Sequence, residues 1–107
     1  MRVLLAIAIA GLVTSVSNAD EYTLSKPISR IRFDGTGTNM TVYFETPAGA
    51  WGSTGCANAT YVMVRDVAGI KEILALGLAA KVAEKNVSFQ GTCLNATYFS
   101  AYYIVVE

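Results

Sequence analysis

No histidine occurs among the 107 residues, and cysteine and proline occur only twice each. The missing imidazole excludes histidine-based acid–base catalysis and histidine metal ligation, and two cysteines alone make no tetrahedral metal site. Charged side chains are only 15% of the chain, eight Lys+Arg against eight Asp+Glu. That balance argues against an electrostatic nucleic-acid binder and against a protein that lies on anionic membranes. Repeats, low-complexity tracts and interdomain linkers are missing too, and the length allows one domain. Nothing in this inventory asks for a cofactor.

Long apolar runs are scarce. The first stretch, residues 1–19, has a basic start at Arg2, an apolar run from Val3 to Val13 and small residues at Ser17 and Ala19. This is the pattern of a secretory signal peptide, and the run is shorter than the roughly 20 residues that span a bilayer. The longest later run is Ile73–Ala80, so no membrane span is expected. The reading is therefore a signal peptide over 1–19 and a single domain over 20–107, secreted or periplasmic.

Export makes Cys56 and Cys93 an expected intramolecular pair, since oxidising compartments form disulfides and small domains gain most from them. Closing a loop of about 38 residues stabilises by roughly 4 kcal/mol in the chain-entropy account. The rival is two free thiols or a bridge between chains.

Residues 20–27 are polar and read as an entry arm. Ile28–Asp34 alternates, with Ile31 and Phe33 on one face and Arg30 and Arg32 on the other, the period of a half-buried strand. Gly35–Asn39 is turn chemistry, and Met40–Thr46 returns as the second strand of a hairpin. Pro47–Asn58 is a Gly-rich loop. Thr60–Arg65 is a third strand, Val87–Thr92 a fourth and Tyr98–Val106 a fifth, all rich in β-formers. Between the third and fourth, Asp66 reads as the cap of a helix over 67–85, with Glu72 near its start, Lys81 and Lys85 near its end and Asn86 in the left-handed position beyond it.

That helix carries two apolar stripes. One is Ile70, Leu74, Leu78 and Val82; the other, rotated well away, is Ile73, Leu76, Ala80 and Ala83. Either the helix is buried on both sides, or the second stripe faces another subunit in a homo-oligomer.

Catalysis finds little support. Glycosidase-type chemistry needs two carboxylates facing across a cleft, and Asp34, Glu45 and Asp66 sit more simply at a turn, a strand face and a cap. The Asp34-Gly35-Thr36-Gly37 run lacks the further oxygen ligands of a calcium loop. No enzyme and no metal are expected. Asn39, Asn58, Asn86 and Asn95 each begin an Asn-x-Ser/Thr sequon, a glycan acceptor in a eukaryotic secretory protein and ordinary turn composition in a bacterial one.

Aromatic residues are the best functional lead: Trp51, Tyr43, Tyr61, Tyr98, Tyr102 and Tyr103. Trp51 lies in the Gly-rich loop near Ser53, Thr54 and Asn58. A Cys56–Cys93 bridge would bring Asn95 alongside. The expected ligand site is thus Trp51, Ser53, Thr54, Asn58 and Asn95, with the indole stacking on a sugar and the polar groups binding its hydroxyls. The alternative is that Trp51 folds over the end of the sheet as a plug.

The element order β-β-β-α-β-β is that of an OB-fold, a small five-stranded barrel. On Val42-Tyr43-Phe44-Glu45, Trp51-Gly52-Ser53-Thr54-Gly55-Cys56, the Ala-rich helix Glu72–Lys85, Asn86-Val87-Ser88-Phe89 and Cys93, the chain resembles the B subunits of bacterial AB5 toxins, above all the subtilase-cytotoxin B-like group. That resemblance implies an OB-fold that binds glycans, often as a pentamer with helices lining a central pore; no toxin sugar-contacting residue matches position by position. Two functions follow as expectations. The first is a carbohydrate-binding module. The second is a structural or protein-interaction protein without a small ligand. Nucleic acid is not an expected partner, given export and neutral charge.

Overall fold

A computed structural model describes residues 20–36, 39–47 and 49–107; the expected signal peptide and part of the expected hairpin turn, Gly37 and Thr38, lie outside them. The described chain forms strands β1 (Glu21–Tyr22), β2 (Lys26–Pro27), β3 (Arg30–Asp34), β4 (Thr41–Glu45) and β5 (Tyr61–Arg65), helix α1 (Ile70–Val82), and strands β6 (Asn86–Cys93) and β7 (Tyr98–Val106). The fold is mainly β with one helix, and the five long strands and the helix follow the expected β-β-β-α-β-β order. The polar entry arm departs from its reading, because β1 and β2 both pair with β6. Thr23 pins that arm: its amide donates to the Phe89 carbonyl at 2.8 Å, and its hydroxyl accepts from the Phe89 amide at 2.9 Å.

The sheet runs β1-β6-β7-β5-β4-β3, with β2 beside β1 on β6. All pairs are antiparallel except β5 with β7, which is parallel over Tyr61–Met63 and Tyr98–Ser100. The expected barrel is not closed, since no ladder joins β3 to β1 or β2. The two ends of the sheet are nonetheless successive parts of one segment, with only Ile28 and Ser29 between β2 and β3. Buried Ile28 anchors this crossing, and the Ser29 amide donates to the Glu45 carbonyl at 2.8 Å.

Alternation on the long strands builds the core. Val42, Phe44, Val62, Val64, Phe89 and Phe99 are fully buried. Phe33, expected inside, is 57% exposed, because it sits near the end of the edge strand β3. A bulge in β7 opposite Gln90 and Gly91 brings the two strands so close that a Cβ on Gly91 would strike the Ser100 carbonyl. Glycine is required there by space.

Helix α1 is shorter than expected. Gly69 precedes it, no side chain caps it, and Asp66 instead takes φ +55° in the preceding turn. At its end Glu84, not Asn86, is left-handed, with φ +56°. The Glu84 amide donates to the Lys81 carbonyl and the Lys85 amide to the Ala80 carbonyl, the paired bonds of a Schellman ending. Asn86 is then free to open β6. Neither expected stripe is buried whole: Ile73, Gly77 and Ala80 face the core, while Leu76, Leu78 and Val82 are exposed. Gly77 lies so close to Phe44 that a Cβ would overlap the ring, so the helix settles on the one line of its surface that small residues make approachable.

Candidate functional site

The disulfide forms as expected, Cys56 with Cys93 at a Cα separation of 5.4 Å. It sets the Pro47–Asn58 loop beside the turn after β6, where the Thr60 and Tyr61 amides both donate to the Thr97 carbonyl. Thr54, Asn58 and Ala96 share one shallow hollow there. Ser53 and Thr54 line another with Tyr22 and Leu24.

Trp51 does not join them. It is fully buried, its indole N–H donates to the Phe44 carbonyl at 3.0 Å, and its ring meets Phe89 edge-on at 5.2 Å. Buried in this way, the indole offers no face to a sugar. The reason is a buried carbonyl at the end of β4, which a phenylalanine would leave unpaired. Ser53 and Asn95 are also occupied locally. The Ser53 hydroxyl accepts from the Cys56 amide, and the Asn95 side chain accepts from the Thr97 and Tyr98 amides at 2.9 and 3.0 Å. They shape the loop and the turn.

The aromatic concentration lies elsewhere, on the sheet face away from the core. The strand registers lay three rows across β3, β4, β5 and β7. The first is Arg30, Glu45, Tyr61 and Tyr98; the second is Arg32, Tyr43, Met63 and Ser100; the third is Asp34, Thr41 and Arg65. Tyr61 and Tyr98 stack at 5.3 Å, and Tyr43 stands 6.4 Å from Tyr61 and 6.1 Å from Tyr98. The Arg32 guanidinium lies over two of these rings, 5.8 Å from the centre of Tyr43 and 5.6 Å from that of Tyr61. Glu45 pairs with it at 3.6 Å and reaches Arg30 at 3.9 Å. Cation–π attraction and the ion pair together fix a long side chain on an open face.

A cleft of about 410 Å³ opens across these rows, lined by Arg32, Phe33, Asp34, Gly35, Thr36, Tyr43 and Tyr98. Asp34 is its carboxylate. Oδ1 accepts from the Thr36 hydroxyl at 2.6 Å and from the Thr36 amide at 3.0 Å. Those two bonds, aided by the Arg65 charge, hold the Asp34 carboxyl below the ordinary carboxylate range. The cleft thus joins an ionised acceptor, a guanidinium and two phenol rings.

No protein-family model, curated protein or solved structure matches the chain. Among the described residues no helix is long and apolar enough to cross a membrane, and no cluster of acids and cysteines is arranged to hold a metal. The tyrosines were within reach of the sequence, since alternation sets Tyr43 and Glu45 opposite Val42 and Phe44. What it lacked was the parallel pairing of β5 with β7, which alone brings Tyr98 to Tyr61.

Proposed function

We propose that this protein is an exported, disulfide-held binding module for carbohydrate, and that its ligand sits on the tyrosine face, not on the Trp51 loop. The observation that carries this reading is the cleft in which ionised Asp34 lies beside half-buried Tyr43 and Tyr98 and exposed Arg32. Sugars present an apolar C–H face and a rim of hydroxyls. An aromatic ring takes the face, and fixed charged or amide groups take the rim. The resemblance to toxin B subunits points to the same ligand class. The leader pattern of residues 1–19 and the disulfide support export.

A glycan array probed with the purified, oxidised protein tests this directly. Binding that Tyr98→Ala abolishes, with the melting temperature nearly kept, supports the reading. Absence of any glycan signal favours the protein-interaction alternative.

A further inference from the structure

We propose that the sugar held in this cleft is an uncharged pyranose with two neighbouring hydroxyls, clasped by the free oxygen of Asp34 while the ring lies on Tyr98 and Tyr43. This rests on the carbohydrate reading above and narrows its ligand class.

An ionised carboxylate only accepts hydrogen bonds, through about four lone-pair sites on its two oxygens. Thr36 donates twice to Oδ1, which fills that oxygen. Among the described residues nothing donates to Oδ2, which keeps two sites, and Asp34 is exposed. What completes it is therefore a pair of donors, and adjacent sugar hydroxyls are such a pair. A carboxylate on the ligand would meet Asp34 with like charge.

The cations do not reverse this. Arg32 is shared between Glu45 and the two tyrosine rings. Arg65 donates from Nε to the Thr41 hydroxyl at 3.3 Å, and its charge acts on Asp34. Arg30 stands in the row farthest from Asp34 and is not part of the cleft. The cleft lining itself carries one positive and one negative charge, Arg32 and Asp34. Its volume of about 410 Å³ lies at the small end for small-molecule clefts, as suits a short glycan epitope.

The test uses the oxidised protein on an array that groups neutral, sialylated and uronic-acid glycans, followed by calorimetric titration of whatever binds. Neutral glycans are expected to bind, and Asp34→Asn is expected to weaken them about tenfold or more. Asparagine can still accept the Thr36 bonds through Oδ1, so this variant changes Oδ2 while sparing the turn. Acidification of the unaltered protein is the second arm, with binding lost as the carboxylate protonates. Selective binding of sialylated or uronic-acid glycans, or neutral binding that Asp34→Asn leaves intact, overturns this inference and leaves the carbohydrate reading standing. Silence across the whole array overturns both.

Discussion

At the scale of single residues, Trp51 and Asp34 show how differently two polar-tipped side chains are employed. Trp51→Ala removes a fully buried indole and leaves the Phe44 carbonyl without its donor. A loss of about 3–5 kcal/mol is expected, read from urea unfolding of the oxidised protein. Asp34 stabilises through charge at the surface. Its carboxyl is held below the ordinary value of 3.8 by Thr36. The contribution is thus present above that value and disappears as pH falls through the depressed one. Thr36→Val deletes the hydroxyl donor, so an NMR titration should show the Asp34 pKa move up toward 3.8. Residue identity alone did not show that Trp51 is buried, because a tryptophan in a Gly-rich loop looks unemployed until its carbonyl partner is known. That partner, Phe44, lies in a different element.

The long strands were legible as elements because alternation and β-branched content survive any tertiary context, and Tyr98–Val106 matches its expected bounds. The helix ends were less so. Asp66 has the chemistry of a cap, yet its positive φ places it in a turn four residues before the helix. Glu84 occupies a position that glycine or asparagine usually takes. Glu84→Gly should therefore raise stability by about 1 kcal/mol through relief of the left-handed backbone, measurable as a shift in the denaturation midpoint. Along the same helix Leu76, Leu78 and Val82 are exposed. Leu76→Glu should change folding stability by no more than about 0.5 kcal/mol. Light scattering on that variant and its parent then separates a self-associating helix, whose mass falls on substitution, from a monomer whose mass does not change.

For the whole molecule, the pairings that define the sheet are distant in sequence. Glu21 lies opposite Gly91, Tyr61 opposite Tyr98, and the disulfide joins residues 37 apart. Such topology folds slowly, over milliseconds to seconds. The sole tryptophan is fully buried, which makes its fluorescence a direct probe. Stopped-flow refolding with the bridge intact should be a single slow exponential. Replacing Cys56 and Cys93 with alanine should cost about 2–5 kcal/mol. The parallel pairing of β5 and β7 is the feature alternation could not reveal, because a period of two fixes which face a residue takes and leaves the neighbouring strand open. The tyrosine face depends on that pairing and was illegible for the same reason.

The segment from Glu21 to Asp34 acts as a belt whose two halves are buckled to opposite margins of one sheet. A protease that cut it at exposed Ser29 would leave every long strand intact, yet it would free the margins from each other. β1 and β2, two residues each, would then peel from β6 under little force. Limited digestion should therefore turn one cooperative melt into a broad two-step one, with the short arm released first.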